Sequence, residues 1–380
     1  MSVVVVGAGP VGLTAALTLA RRGIEVTVLE AGAELAAESR ASTFHPPTLE
    51  MLDALGVLKP LLDKGIVAST FQYRERNGGE LATLDLGLLA ADTPYPFRVQ
   101  CEQSRLTPIL LDALEGLGGR VRFDHAVEGL FRSDERVVLH TARGPVHADW
   151  VIGADGAHSA VRHGLGARFE GSTYPERFLV ASVEEDLAAA LPGIAPINYV
   201  FDPFEWLVLL RTPQHWRVLL PTAADSADEA ELSRLPSRLT GVADLGRPWR
   251  LLHASLYRVH QRVTDHFRVG RVLLMGDAAH VNNPLGGLGM NSGIHDAVRL
   301  GDALADVLHG APESGLDAAA EHRRRVAVEH VQRASHANWQ RLRGAGDDFR
   351  THVRELAADP VATRAYLRRA CLLDSLEAGR

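Results

Sequence analysis

The hydrophobic pattern of this chain switches repeatedly between runs that suit strands and spacings that suit helices. Residues 3–6 are four consecutive valines, the composition of a strand buried on both faces, and after the turn GAGPVG the spacing at 13–22 is helical. A second strand is expected at 25–29. Apolar spacing of three and four around Leu49, Leu52, Leu55 and Leu58 predicts helix over HPPTLEMLDALGVLKPLLDKG. Residues 66–100 read as strands and loops, punctuated by Asn77-Gly78-Gly79, Pro94 and Pro96; a helix at 106–117 follows, then strands at 121–123 and 137–141 that should return the chain to the first sheet. From 169 to 266 the runs FLVASVEED, INYVFD, EWLVLLR, HWRVLLPT and WRLLHASLYRVH predict a second, largely antiparallel sheet. Helices end the chain, over GIHDAVRLGDALADVLHG, 316–342 and 360–373. This order predicts an α/β fold with an inserted β-rich unit and C-terminal helices.

Three of the strands run into glycine- and aspartate-rich turns, at 3–12, 151–162 and 272–291. In the first, Gly7, Gly9 and Gly12 hold the G-x-G-x-x-G register between strand and helix. Glycine permits the tight bend, lets backbone touch a pyrophosphate and lets helix pack closely on strand, while the helix N-terminus offers free N–H groups to the phosphates. Glu30, at the end of the second strand, is placed to accept hydrogen bonds from an adenosine ribose, which completes a dinucleotide-binding βαβ unit. In the second turn Asp155-Gly156 precedes a helix start with Ser159 and Arg162; the aspartate can cap that helix and the arginine can face anionic groups. In the third, Gly276-Asp277 ends the strand and residues 284–289 lead into a helix near Met290-Asn291. Asp277 suits a polyol hydroxyl, and the N–H groups of 287–291 suit the carbonyl edge of a heteroaromatic ring. Structural glycines and helix caps are the plain alternatives for each turn.

Composition narrows the partners. A net charge of -7 gives no reason to expect nucleic acid or an acidic membrane. The two cysteines, Cys101 and Cys371, offer neither a disulfide framework nor zinc-ligand spacing and fit a reducing cytoplasm. The uncharged run 2–20 lacks a basic leader and carries Gly7, Gly9, Pro10 and Gly12 where a membrane span needs a continuous helix, so a soluble protein is expected. None of the 17 histidines has convincing metal-ligand spacing, and Arg323-Arg324-Arg325 reads as a solvated helix face.

The motifs G-A-G-P-V-G with Glu30, A-D-G-A-H-S-A-V-R and G-D-A-A-H-x-x-x-P-L-G-G-L-G-M-N-x-G resemble the three fingerprints of the FAD-dependent aromatic hydroxylases, the single-component flavoprotein monooxygenases of the para-hydroxybenzoate hydroxylase fold, over residues 1 to about 305. The resemblance implies a Rossmann-like FAD-binding domain in two parts, 1–168 (with a β-rich excursion near 66–100) and 267–310, a β-rich substrate domain at 169–266 and a C-terminal helical region at 311–380. It implies that Gly7, Gly9, Val11 and Gly12 hold the FAD pyrophosphate, Glu30 the ribose, Arg40 the flavin and its phosphates, Gln103 the ribityl region and Val127 the adenine. Asp155 and Gly156 would serve FAD and NAD(P)H together, Arg162 would belong to the cofactor site, and Asp277 would hold the ribityl chain. Pro284, Gly287, Leu288, Gly289, Met290 and Asn291 would flank the isoalloxazine, with Pro284 over the reacting centre. His295 departs from the glutamine frequent in the family.

In that family NAD(P)H reduces a tightly bound FAD, oxygen adds to make a C4a-hydroperoxide, and the distal oxygen passes to an electron-rich ring; the cofactor carries the chemistry. The implied partner is a small aromatic or polyketide-like molecule. Tyr199, Arg211, His215 and Tyr257 are substrate-side candidates by location, and Trp206, Trp216 and Phe204 belong to either core or cleft. Baeyer-Villiger insertion or flavin-dependent reduction on the same scaffold, and a non-catalytic nucleotide sensor, are the rival readings, because a shared fold does not fix function.

Overall fold

The four valines of Val3–Val6 lie inside a six-stranded sheet with the order Arg268–Val269, Val272–Leu274, Trp150–Gly153, Val3–Val6, Val26–Leu29, Arg120–Arg122. The computed structural model describes residues 1–380 except 38–40, 77–78, 134–135, 203, 345–346 and 378–380, so Arg40 and the Asn77-Gly78 turn lie outside the described residues. The strands from Val272–Leu274 to Arg120–Arg122 pair in parallel, and Arg268–Val269 adds an antiparallel edge. Parallel sheets are covered on both faces, which is why all four valines are buried and the sequence shows no alternation. Parallel pairing also sets the C-terminal ends of Val3–Val6, Trp150–Gly153 and Val272–Leu274 side by side, so the three glycine-rich turns leave the sheet along one edge.

Helix Pro10–Arg21 starts with proline in its first turn, where the missing N–H costs nothing. It packs on helix Leu288–Leu308 so closely that a Cβ on Gly301 would stand 3.0 Å from Thr18 Cγ2. The strand expected at 137–141 does not return to this sheet. Val137–Thr141 pairs instead with Val127–Arg132 and Val146–Ala148 in a separate three-stranded antiparallel sheet, because short hairpins satisfy their hydrogen bonds locally.

The second large sheet has eight strands, in the order His280–Val281, Leu251–Thr264, Phe169–Val183, Trp216–Ala223, Leu207–Arg211, Ile197–Phe201, Thr70–Glu75, Gly79–Asp85. Its last two come from the 66–100 excursion, and Thr70–Glu75 pairs in parallel with Ile197–Phe201. One face buries Leu207, Leu209, Val218 and Leu220 against Leu235 and Leu239 of helix Asp228–Thr240. The other buries Phe71, Tyr73, Tyr199 and Phe201 against Leu342, Val353, Leu367 and Cys371 of the C-terminal helices. These helices are Ser314–Val326, a π-helical turn Ala327–Gln332, Arg333–Arg343, Asp347–Ala358 and Pro360–Ala370. Among the described residues no helix is long and apolar enough to cross a membrane.

The Arg323-Arg324-Arg325 run is not uniformly solvated. Arg323 is 1% exposed, and its Nε donates to Asp296 Oδ1 at 2.7 Å while Nη2 reaches the Ser292 hydroxyl at 3.1 Å. Arg324, among the described residues, makes an exposed pair with Glu321 one turn away. Losing one partner of a buried ion pair strands the other charge, whereas an exposed pair contributes little. We therefore expect Arg323→Met to cost about 3–5 kcal/mol, and Arg324→Met under about 1 kcal/mol, in urea unfolding. Equal losses would show that the Asp296 pair does not stabilise the fold.

Candidate functional site

The three turns meet through contacts that leave no room for side chains. Gly7 has φ +101°, and a Cβ there would lie 2.5 Å from the Ala154 carbonyl oxygen in the second turn. A Cβ on Gly12 would lie 1.9 Å from Gly7 O, so the helix can start where it does only with glycine. Gly276, at φ +57°, faces Val11, and a Cβ on Gly293 would meet the same valine at 2.6 Å. Val11 is thus the wedge between the first and third turns. Gly9 differs: a Cβ there meets nothing within 4 Å. The space over Gly9 is open to a ligand rather than filled by protein.

Polar groups complete the join. Asp155 accepts from the Ser159 hydroxyl at 2.5 Å and from the Val161 amide at 3.1 Å, and Ser159 caps the short helix by accepting from the Arg162 amide. Arg162, expected to face anionic groups, turns inward instead. It is 2% exposed, donates to the carbonyls of Ala278 (3.0 Å) and Ala157 (2.8 Å), and lies over the Phe169 ring. It fastens the second turn to the third. Asp296 holds the third turn: Oδ2 accepts from the Gly276 amide at 3.1 Å and from His280 Nε2 at 2.8 Å. Burial by itself would raise the Asp296 carboxyl, but Arg323 and His280 hold it below the usual carboxylate range.

Two carboxylates stand around this junction. Glu30 accepts from the Ala8 amide at 2.7 Å and the Gly32 amide at 2.9 Å, one on each oxygen, which leaves each oxygen a second lone pair. Asp277 is exposed, on the one-turn helix Gly276–Ala278. The loop from Pro284 enters helix Leu288–Leu308 through Gly286 (φ +104°) and Gly287 (φ +67°), both left-handed. Asn291 does more than offer an amide: its side chain donates to Thr43 O (2.8 Å) and accepts from the His45 amide (2.9 Å). His45 Nε2 in turn donates to Gly286 O at 2.9 Å, and burial pushes this imidazole well below its usual range. His45 and Asp296 were not singled out in the sequence; a histidine just before Pro46-Pro47 and an acid within a helical run give no sign of long-range partners.

Comparison with known proteins fits this geometry. A family model described as FAD binding domain matches residues 1–334. Para-nitrophenol 4-monooxygenase of a Pseudomonas species is 35% identical over 96% of this chain and 94% of its own. The chain belongs to the FAD-dependent aromatic hydroxylase family. The crystal structure of p-nitrophenol 4-monooxygenase from Pseudomonas putida superposes with a TM-score of 0.93 at 33% identity, covering 98% of this chain and 97% of that one. Aklavinone-11 hydroxylase, solved in a ternary complex with FAD and aklavinone, gives 0.80 at 27% identity and is covered to 70% of its length. This chain is an FAD-dependent monooxygenase, and its own residues fit FAD: open space over Gly9 at a helix N-terminus, free lone pairs on Glu30 and an exposed acid at Asp277.

The hydroxylase has a cavity beside the Gly286 loop, walled by Phe71, Tyr73, Tyr199 and Phe201 of the large sheet and by Tyr366 of the C-terminal helices. Of the substrate-side candidates, Tyr199 lines it. His215 Nδ1 lies 3.6 Å from Glu102 Oε1, and burial lowers its pKa. Tyr257 is 38% exposed and edges onto Phe178. Arg211 is on the wrong face: strand residues alternate, and its guanidinium lies over Trp216 in the core facing helix Asp228–Thr240. Trp206 packs edge-on to Phe178, Trp216 is core, and Phe204 is 98% exposed in a bend rather than on a strand. Gln103 begins helix Gln103–Gly116, with its amide on Ala41 O, and Val127 is half-buried as the first residue of strand Val127–Arg132.

His295 occupies a structural place, its Nε2 2.9 Å from the Thr48 hydroxyl. Burial lowers its pKa from 6.5 to about 3. The unfolded chain therefore takes up the proton first as pH falls, and stability is lost between about 6.5 and about 3, at about 1.4 kcal/mol per unit. Going from pH 7 to pH 5 should cost about 2 kcal/mol through this residue. His295→Gln should remove that part of the slope in denaturant titrations at the two pH values; an unchanged slope would assign the acid sensitivity elsewhere.

Proposed function

We propose that the chain hydroxylates a small aromatic ring with NAD(P)H and molecular oxygen as co-substrates. The observation that carries this reading is the position of the aromatic-walled cavity: it borders Gly286, in the loop that leads into the helix N-terminus expected to flank the flavin ring. Relatives matched over nearly their full length are named for p-nitrophenol and for 6-hydroxy-3-succinoylpyridine, each a single ring, which supports a compact substrate over a polycyclic one. FAD supplies the redox chemistry, accepting reducing equivalents from the nicotinamide and activating oxygen for transfer to the ring.

The protein's part is to bind, orient and exclude water. The amides after Gly9 would take the pyrophosphate, Glu30 the ribose hydroxyls, and Asp277 with Gln103 the ribityl chain. Asp155 and Arg162 would act indirectly, by keeping the second turn in register with the first and third. Amides of residues 287–291, held by Asn291 and His45, would meet the carbonyl edge of the flavin ring, where a helix N-terminus stabilises negative charge. The cavity walls, contributed by both the sheet and the C-terminal helices, would hold the ring against the flavin and keep water out.

Two variants separate cofactor binding from folding. Gly9→Ala places a methyl group where no protein atom stands, so the flavin-free protein should unfold within about 0.5 kcal/mol of wild type while purifying with much less FAD. Asp277→Ala should weaken FAD binding by about 1–3 kcal/mol, read by flavin absorbance after dialysis. Full flavin occupancy in both would remove these residues from the site. For the reaction itself, an accepted phenol should accelerate NAD(P)H oxidation and gain one oxygen atom from labelled molecular oxygen; unlabelled product would exclude oxygen transfer.

A further inference from the structure

Arg98 lies on the short strand Arg98–Gln100 and projects into the aromatic-walled cavity. It is 2% exposed and lies over the Phe71 ring, and Nη2 donates to the Cys371 sulfur at 3.7 Å, yet among the described residues its Nε and Nη1 have no hydrogen-bond partner. Among the described residues no carboxylate forms an ion pair with it, and none lines the cavity. Burial pushes the Cys371 thiol up, so that sulfur stays protonated and neutral. The Tyr199 hydroxyl lies beside the guanidinium, and the Tyr73 and Tyr366 hydroxyls are bonded to each other at 2.7 Å. A second guanidinium, Arg341, borders the same space and lies over the Tyr366 ring. Aromatic walls, two cations and no acid make the cavity positive, and a buried cation lacking its partner is costly unless a ligand supplies one.

We propose that Arg98 is the specificity-determining residue of this cavity, and that the ring taken there carries an anionic oxygen, phenolate or carboxylate, which the guanidinium grips through Nε and Nη1. This rests on the reading of the cavity as the substrate site of the flavin enzyme. A neutral ring of the same shape fills the same walls and leaves Arg98 uncompensated. Discrimination between the two is then a charge-assisted hydrogen bond gained or lost, worth about 10- to 100-fold in affinity.

The test is equilibrium dialysis of the FAD-loaded protein against two matched pairs: 4-nitrophenolate with 4-nitroanisole, and benzoate with benzamide. At least one anion should bind about 10- to 100-fold tighter than its neutral partner, and the pair that separates tells phenolate from carboxylate. Arg98→Met should bring the members of that pair within about twofold, and Arg98→Lys should keep the preference for the anion. No separation in the wild-type protein overturns the proposal, as does separation that persists in Arg98→Met. If Arg98→Met fails to fold, the wild-type and Arg98→Lys titrations decide alone: preference for the anion in both supports the proposal, and its absence in either overturns it. Flavin occupancy and NAD(P)H consumption are read on the same samples. Loss of flavin in the wild type sinks the enzyme reading, while a flavin-loaded protein indifferent to charge sinks only the role of Arg98.

Discussion

One buried carboxylate holds together the parts of this molecule that must meet. Asp296 sits in the middle of helix Leu288–Leu308 and is fully buried, yet it binds the backbone of the third turn at Gly276, the ring of His280 and the guanidinium of Arg323 from the next helix. Its charge is tolerable only because each partner satisfies part of it, and each partner is fixed in place by the same bonds. The left-handed backbone at Gly276 follows, as do the seating of Val11 against Gly276 and Gly293 and the approach of the first turn to the third. Without that anchor the parallel strands would still pair and Arg162 would still join the second turn to the third, but the third turn would lose its tie to helix Leu288–Leu308.

Around the anchor, the site is shaped more by excluded volume than by reactive groups. Gly7 and Gly12 are required because protein atoms occupy the positions of their missing side chains, whereas the space at Gly9 is left open. The same sequence motif therefore has two kinds of glycine, two packed against protein atoms and a third facing open space. Arg162 makes a related point. A guanidinium in a cofactor fingerprint suggests a phosphate, but here it holds two carbonyls of neighbouring turns and stacks on Phe169.

The large sheet packs one face against a helix and leaves a cavity on the other. Leu207, Leu209 and Trp216 bury one face against a helix, and the strand alternation carries Arg211 with them. Tyr199, one residue out of phase with Val200, looks the other way, into a cavity closed by helices from the far end of the chain. His45 and Asn291 tie the loop beside that cavity to the strand Thr43–Phe44, so the cavity rim and the helix N-terminus are one connected structure.

The sequence by itself determined the parallel sheet, the three turns and the family to which they belong. Valine runs, glycine register and an acid after the second strand are local signals, and each reflects a constraint a few residues long. The antiparallel character of residues 169–266 was likewise written in their periodicity. Tertiary structure alone decided that Val137–Thr141 joins a different sheet, that the 66–100 strands complete the eight-stranded one, and that Arg323 is core while Arg324 is surface. It also decided which arginine faces the cavity: Arg98, in a strand with no motif, rather than Arg211. Partners in these cases lie tens to hundreds of residues apart, and a side chain's burial and charge compensation depend on what the fold brings against it, which no local pattern encodes.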